Sequence, residues 1–107
     1  MNAGYGVAYT DEAVDDLRGI YRYIAFRLLE PVVAENLINR IREKVRDLGM
    51  FPKKYRLVSF EPMRSCGMRQ VSVDNFIVFY LTDDENKTVA VARVLYGKRD
   101  IKKQFGQ

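Results

Sequence analysis

Residues 76–81 read FIVFYL, and after a polar turn residues 88–100 read TVAVARVLYGKRD. The first run is apolar at every position but one, which predicts a strand that is buried on both faces. The second run is rich in β-branched residues and alanine, and it changes abruptly to Gly97-Lys98-Arg99. The two runs therefore predict a β-hairpin at the centre of the fold, from which the chain leaves as a basic tail.

The N-terminal half predicts one strand and two helices. Residues 5–10 alternate large and small side chains, which is typical of a short strand. Thr10 is a predicted N-cap for a helix over residues 11–29, where apolar residues recur at steps of three and four. Pro31 suits the first turn of a second helix that ends near Gly49. Because the break is short, we expect the helices to pair as an antiparallel hairpin.

The stretch between the helices and the central hairpin predicts one further strand. Residues 68–73 alternate and lead through a tight turn at Asp74-Asn75 into the run 76–81. Residues 55–58 favour a short extended piece. Residues 101–105 favour either one turn of helix or a loose tail.

The resulting order, β-α-α-β-β-β, predicts an α+β fold. We expect the helical hairpin on one face of a mostly antiparallel sheet, in a single domain of residues 1–107. Ile77, Phe79 and Leu81 are predicted to be buried against the helices, at about 1.5–3 kcal/mol each. Alternation in the other strands predicts that the far face of the sheet stays partly open.

Composition excludes several kinds of chemistry. The chain has no histidine, which removes the usual general base at neutral pH and the commonest metal ligand. Cys66 is the only cysteine, so no intramolecular disulfide is possible. We expect no metal and no cofactor. Since no apolar run is long enough to span a membrane and the first residues do not form a signal peptide, we expect a cytoplasmic protein without a membrane partner.

Positive charge is concentrated in two segments. The net charge is +4, and residues 53–70 and 93–107 each carry five basic residues against one acidic residue. Such segments predict a surface that faces a polyanion, with basic side chains from neighbouring strands converging on one sheet face to hold phosphate. Solvated edge charges, or ion pairs with Asp74 and Asp100, are the alternative. The predicted basic cluster consists of Arg64, Arg69, Arg93, Lys98 and Arg99.

Tyrosines and carboxylates supply further candidates. Tyr55, Tyr80 and Tyr96 lie near the basic segments and could stack on bases, although core packing explains them as well. Acidic residues at the start of the first helix suit the helix dipole, and those of the turn 83–87 lack the spacing of a calcium loop. Cys66 has no histidine to activate it. The residues alone therefore name no catalytic group.

The central hairpin also carries a resemblance to a known group of proteins. The run RQVSVDNFIVFY at residues 69–80, the acidic turn, and VARVLYGKRD at residues 91–100 resemble the RelE/ParE superfamily of bacterial toxins. The resemblance extends to Tyr23-Ile24-Ala25 and to Pro52 after the second helix, and so covers nearly the whole chain. It implies the toxin half of a toxin–antitoxin operon, with the order of elements predicted above.

That superfamily contains two activities. RelE-like members cut mRNA in the ribosome with basic residues on the middle strands and near the C-terminus, whereas ParE-like members poison DNA gyrase and lack that set. Arg69 and Arg99 match basic positions of the nucleases. Ile77, however, stands where RelE-like toxins tend to carry arginine, and Phe105 lacks the hydroxyl of their terminal tyrosine. The resemblance therefore favours a ParE-like toxin.

Three functions follow as hypotheses. The first is a ParE-like inhibitor of DNA gyrase that a cognate antitoxin neutralises. The second is a ribosome-dependent mRNA endonuclease, in which Lys98, Tyr96 or Glu61 would have to exchange protons. The third is a module without toxicity that binds antitoxin and regulates the operon. All three predict an antitoxin that covers the helical hairpin and a sheet edge, and contact with operator DNA only through that antitoxin.

Overall fold

A four-stranded sheet carries a helical hairpin on one face in the computed structural model, which describes residues 4–106. Strand order is β1-β4-β3-β2, with β1 parallel to β4 and the other neighbours antiparallel. The predicted α+β fold, with two helices between the first and second strands, is confirmed. The strands are β1 (Gly6–Tyr9), β2 (Arg69–Val73), β3 (Phe76–Asp83) and β4 (Thr88–Tyr96), and the helices are α1 (Asp11–Arg22), α2 (Pro31–Met50) and α3 (Ile101–Gln104).

Thr10 begins α1, as predicted. Its hydroxyl accepts a hydrogen bond from the Ala13 amide at 3.1 Å and donates one to the Ala92 carbonyl of β4 at 3.0 Å. The α-helix ends earlier than the predicted residue 29, because the chain continues over Tyr23–Arg27 as a π-helical turn. This turn closes with a bond from the Leu28 amide to the Tyr23 carbonyl at 3.0 Å, and it leads the chain into α2.

Gly49, expected at the end of α2, is the penultimate residue of that helix and lies against the chain that precedes β1. The Tyr5 amide donates to the Gly49 carbonyl at 2.7 Å. A Cβ at position 49 would lie only 2.6 Å from the Tyr5 carbonyl oxygen, so this close approach of two backbones requires glycine. The contact ties the start of the sheet to the end of the helical hairpin.

The core between the helices and the sheet is almost entirely aliphatic. From α2 it takes the residues spaced three and four apart that the sequence predicts as the apolar face of the helix. From the sheet it takes valines of three strands and one tyrosine. Its buried members are Ala13, Leu37, Ile41, Val45, Leu48, Val71, Val73, Val78, Tyr80, Val89, Val91 and Val94.

A second core lies on the far face of the sheet. The prediction that Ile77, Phe79 and Leu81 are buried against the helices is wrong, because Val78 and Tyr80 occupy that face and alternation directs the other three away from it. When both faces of a strand are apolar, its sequence does not show which alternate set of side chains packs against the helices. The far face is also less open than predicted, since it has a cover of its own.

Residues 57–68, here called the cover segment, and α3 cover this far-side core. The Val58 amide donates to the Met68 carbonyl at 2.9 Å, which holds the segment beside the edge strand as the predicted extended piece. The Phe105 ring, just beyond α3, packs edge-on against Phe79 with 5.1 Å between ring centroids. The chain after Gly97-Lys98-Arg99 therefore forms one turn of helix and returns to the sheet.

Candidate functional site: a basic groove on the far face of the sheet

A groove of about 370 Å³, here called the far-face groove, lies between the cover segment, the sheet and α3. Its apolar lining comes from the cover segment, from β3 and from α3, and its rim is mainly basic. The apolar lining consists of Phe60, Ile77, Phe79 and Ile101, and the polar lining of Arg56, Ser59, Gln70, Arg99, Asp100 and Lys102.

Backbone hydrogen bonds position the first part of the groove rim. The Gln70 amide donates to the Arg56 carbonyl at 3.1 Å, so Arg56 lies beside β2. At the other end, the Gly97 amide donates to the Asn75 carbonyl at 2.8 Å, and a Cβ on Gly97 would lie 3.2 Å from that oxygen. Glycine thus lets the chain turn tightly out of β4 into the basic tail.

The turn after β4 places the second part of the rim. The Arg99 amide donates to the Tyr96 carbonyl at 3.1 Å, which closes the turn. Asp100 is the N-cap of α3, and its carboxylate accepts a hydrogen bond from the Lys103 amide at 3.4 Å. This short helix presents Lys102 at the groove, next to Arg99.

The far-face groove can bind anions, but it offers few groups for proton transfer. Arg56, Arg99 and Lys102 carry positively charged side chains that donate hydrogen bonds and have no acceptor atom. Glu61 is also a poor base, because hydrogen bonds from the Ser65 hydroxyl at 2.9 Å and from its amide at 2.8 Å hold the pKa of that carboxyl below its usual value. Phosphate or carboxylate binding is therefore the chemistry that the rim supports.

The predicted basic cluster is dispersed. Of its five members, only Arg99 lines the far-face groove. Arg64 donates to the Val58 carbonyl at 3.0 Å, and Arg69 donates to the Tyr55 carbonyl at 2.6 Å, so both stabilise the segment between α2 and β2. The remaining two members are Lys98, which is exposed in the turn, and Arg93.

Arg93 is held by Asp16 of α1. Its Nε and Nη2 donate to the two carboxylate oxygens at 2.7 and 2.9 Å, and the Val94 amide donates to the same carboxylate at 2.9 Å. The Arg93 and Asp16 side chains are only 18% and 14% exposed, and the hydrogen bond raises the pKa of Arg93. Neither carboxylate named as an alternative partner is used here, since Asp74 pairs with Arg40 and Asp100 caps α3.

The three tyrosine candidates differ in exposure. Tyr80 is fully buried, burial raises its pKa to about 12, and its hydroxyl makes no hydrogen bond of normal geometry within residues 4–106. Tyr55 is half-buried, with the Lys54 ammonium 5.5 Å from its ring centroid. Tyr96 is 38% exposed. Tyr55 and Tyr96 therefore remain able to meet a partner, whereas Tyr80 belongs to the core.

The acidic turn after β3 is tied to the body of the protein. Asp84 accepts hydrogen bonds from the Tyr5 hydroxyl at 2.7 Å and from Lys53 at 2.6 Å, and these hold the pKa of Asp84 below its usual value. Within residues 4–106, no three histidine, cysteine, aspartate or glutamate side chains lie close enough to hold a metal ion. In the same range, no helix has the length and apolar character needed to cross a membrane.

The sequence signals do not single out four polar residues of the far-face groove: Arg56, Ser59, Gln70 and Lys102. Arg56 and Lys102 do lie in the two basic segments, which is the only sequence signal that points to them. The groove forms only when the irregular cover segment and α3 fold back onto the sheet, and local periodicity does not report such long-range packing.

The helical hairpin and the strand order place this protein in the RelE/ParE class of small toxin folds. The family model of the ParE toxin of type II toxin–antitoxin systems, parDE, matches residues 7–101, and the chain belongs to that family. Among curated proteins, none matches the sequence significantly.

Solved structures share the fold at low sequence identity. A chain from the chromosomal ParDE system of P. aeruginosa superposes with a TM-score of 0.71 at 20% identity, covering 89% of this chain and 98% of that one. The RelBE2 toxin–antitoxin complex of Mycobacterium tuberculosis gives 0.63 at 23% identity, covering 88% and 99%. A mutant of E. coli RelE in the free state gives 0.67 at 12% identity, covering 94% and 92%. Neighbours of both the ParE and the RelE kind thus share the fold.

Proposed function

We propose that this chain is the toxin of a type II toxin–antitoxin system, that it inhibits DNA gyrase, and that a cognate antitoxin neutralises it. Membership of the ParE toxin family supports the first part. The lining of the far-face groove supports the second, because Ile77 and Phe79 occupy the place where a nuclease would need polar groups around its substrate.

Cleavage of RNA requires a base that activates the 2′-hydroxyl and an acid that protonates the leaving oxygen. The chain has no histidine, and the cations of the groove rim, Arg56, Arg99 and Lys102, are hydrogen-bond donors without an acceptor atom that could serve as a base. Inhibition of gyrase, by contrast, requires only that the chain bind to gyrase, and it needs no proton transfer. A basic rim around an apolar floor can contact acidic and apolar side chains of a protein target.

The helical hairpin supports an antitoxin as the second partner. Its tip, here called the hairpin patch, exposes six large apolar side chains, and a group of exposed apolar side chains is typical of a protein interface. Beside the patch, a groove of about 490 Å³ between α1 and α2 has Arg18, Arg22 and Arg42 among its lining residues, which suits an acidic, apolar segment. We expect operator DNA to be reached only through the antitoxin. The hairpin patch consists of Tyr23, Phe26, Leu28, Leu29, Val32 and Val33.

Purified chain added to gyrase at micromolar concentration tests the target. We expect loss of DNA supercoiling and accumulation of cleavage complexes, and an excess of antitoxin should restore supercoiling. Unchanged supercoiling and unchanged cleavage complexes would remove gyrase as the target.

Paired variants test whether the far-face groove carries the inhibition. Replacing Arg56 and Lys102 together by alanine should weaken inhibition about tenfold or more, the scale of removing charged contacts from an interface. Replacing Arg27 and Arg46 together by alanine, which removes the same amount of charge from two exposed helical positions away from this groove, should leave inhibition unchanged. Equal loss in both variants would mean that net charge, and not the groove, governs binding.

A RelE-like nuclease is the second candidate, and the basic rim of the groove is the observation that favours it. Primer extension on translated mRNA separates the two candidates. Cuts in the ribosomal A site that depend on this chain would support the nuclease, and intact message alongside inhibited gyrase would support the ParE-like toxin.

A further inference from the structure

The Arg93 side chain joins elements that lie on opposite faces of the sheet. Arg93 is directly opposite Phe79 in the pairing of β4 with β3, and side chains that oppose each other point to the same face. Since Phe79 belongs to the far-side core, the Arg93 side chain also starts on the far face. Its partner Asp16 belongs to α1, which packs on the other face. The guanidinium therefore reaches from the far face to the edge of the sheet.

The orientation of the guanidinium is set at that edge. β1 pairs with β4 only up to Val91, and the Val94 amide is free to donate to the Asp16 carboxylate at 2.9 Å. Arg93 Nε and Nη2 donate to the two oxygens of the same carboxylate at 2.7 and 2.9 Å. This hydrogen bonding, and then the negative charges of Asp16 and Glu12, raise the pKa of Arg93 despite its partial burial. Two acidic residues of α1 thus face the guanidinium.

The remaining terminal nitrogen of Arg93 contacts α3. Its Nη1 donates to the Gln104 carbonyl at 3.4 Å, and Gln104 is the last residue of that helix. The last carbonyls of a helix have no partner inside it, so an outside donor is needed there. A guanidinium is planar and holds its donors in a fixed arrangement, so the plane that Asp16 fixes also decides where Nη1 points.

α3 depends on such contacts, because a helix of four residues is not stable alone. The Phe105 ring lies 5.1 Å from the Phe79 ring and 5.5 Å from the Phe60 ring, between centroids, which keeps the segment on the sheet. Apolar burial is not directional, however, whereas a hydrogen bond is. Lys102 of α3 and Arg99 just before it belong to the rim of the far-face groove. The position of this rim therefore follows the position of α3.

We propose that Arg93 is a positioning residue of the far-face groove, which fixes α3 and its Lys102 by bridging Asp16 and the Gln104 carbonyl. Asp16 acts through Arg93, so a change on α1 alters a groove on the opposite face of the sheet. The proposal rests on the proposed function for its effect on gyrase, but the bridge itself does not depend on the target.

Arg93→Lys separates the bridge from the charge. Lysine keeps the positive charge and can pair with Asp16, but a single ammonium cannot also reproduce the second arm towards Gln104. Backbone order parameters from NMR relaxation measure the result. We expect the values of residues 101–105 to fall from about 0.85, typical of a rigid backbone, towards about 0.6, while those of α2 stay unchanged. Values for residues 101–105 equal to those of the parent chain would overturn the proposal.

Arg40→Lys is the matched control. Arg40 Nε and Nη2 also donate to one carboxylate, that of Asp74, and this pair joins α2 to the turn between β2 and β3. The order parameters of residues 101–105 should not change in this variant. An equal fall in both variants would mean that loss of any such ion pair loosens α3, and the proposed role of Arg93 would be wrong.

Asp16→Asn tests the bridge from its other end. Asparagine offers one acceptor oxygen in place of two, so the guanidinium loses one of its two bonds to this side chain. We expect the order parameters of residues 101–105 to fall here as well, although α3 itself is unaltered. Asp15→Asn, at the exposed neighbouring position, should leave them unchanged. A rigid α3 in Asp16→Asn, confirmed as folded by urea unfolding, would contradict the coupling of α1 to α3.

Inhibition of gyrase gives the functional readout. Arg93→Lys should weaken inhibition about threefold or more, because α3 must then be ordered on binding, and Arg40→Lys should not weaken it. A looser α3 with unchanged inhibition would overturn the positioning role. If the parent chain does not inhibit gyrase, the proposed target fails, and the order parameters alone decide the bridge.

Discussion

Phe79 and Tyr80 are neighbours in β3 and almost equally buried, yet they belong to different cores. Tyr80 packs among aliphatic side chains beneath the helices. Phe79 packs among aromatic rings beneath the cover segment and α3, with Phe60 and Phe105 as its ring neighbours. The same strand is thus buried twice, by regular helices on one face and by mostly irregular chain on the other.

Comparing the two faces of the sheet indicates which one stabilises the fold and which one carries the candidate site. The helix side is closed by α1 and by the twenty-residue α2, and hydrogen bonds within these helices maintain it. The far side is closed by residues 57–68 and by a helix of four residues, and it carries the far-face groove. Sites are commonly built where local stability is lower, because binding surfaces need freedom to adapt. We therefore expect the helix side to dominate folding and the far side to dominate binding of the proposed target.

The same substitution on each face gives the largest expected contrast. Ile41→Ala, at a completely buried position of α2, should lower the free energy of unfolding by about 2–5 kcal/mol. Ile101→Ala, at a half-buried position of α3, should cost only about 1 kcal/mol, in proportion to the smaller apolar area that it loses. Urea unfolding at pH 7 measures both. Equal losses would show that the far-side core is as important to stability as the helix side.

The ion pair that joins α1 to β4 gives the next largest effect. Asp16→Asn leaves the Arg93 charge mostly buried without its counter-charge, and should cost about 2–3 kcal/mol in unfolding free energy, less than a fully buried pair. Asp15→Asn is the matched control. Its contact with Arg18 is 4.0 Å long, and both side chains are mainly exposed, so the expected change stays within about 0.5 kcal/mol. A small effect of Asp16→Asn would mean that water replaces the carboxylate at β4.

Tyr80→Phe tests the polar atom in the aliphatic core. Since the buried hydroxyl makes no hydrogen bond of normal geometry within the described residues, its removal should raise the unfolding free energy by about 1 kcal/mol. The pKa of Tyr80 is raised to about 12 from 10.0, so the parent chain should lose stability as the pH rises through that window, in which the unfolded chain ionises first. Unfolding at pH 9 and pH 11 measures this, and the variant should show a smaller loss. A destabilised variant would point to a hidden partner of the hydroxyl.

The fold was predictable because local signals agree with it. Thr10 and Pro31 begin helices in the structure as their chemistry predicts, and Asp74-Asn75 turns β2 into β3. The choice of face for β3 was not predictable. A run such as residues 76–81 is apolar at both alternate sets, so only the tertiary cover decides which set meets the helices.

The positive charge of the candidate site was predictable from the sequence, but the side chains that form the site were not. Residues 53–70 and 93–107 do supply the rim of the far-face groove, through Arg56, Arg99 and Lys102. Sequence does not show, however, which basic side chains are already engaged. Arg93 looks free in its strand, and its partner Asp16 lies 77 residues away. Long-range ion pairs of this kind decide which basic side chains are engaged within the fold and which remain available to a partner.

The smallest expected effect distinguishes the two sides of α1. Ala13 faces the helix-side core and is fully buried, whereas Gly19 lines an open groove between α1 and β4 and is exposed. Gly19→Ala should raise the unfolding free energy by about 0.5–1 kcal/mol, because glycine loses more backbone freedom in a helix and no atom obstructs the new methyl group. Ala13→Gly, the same step reversed, should cost more than that amount, since it also opens a small cavity in a packed core. Urea unfolding of both variants measures the difference. A destabilising Gly19→Ala would mean that this side of α1 is packed more tightly than its exposure indicates.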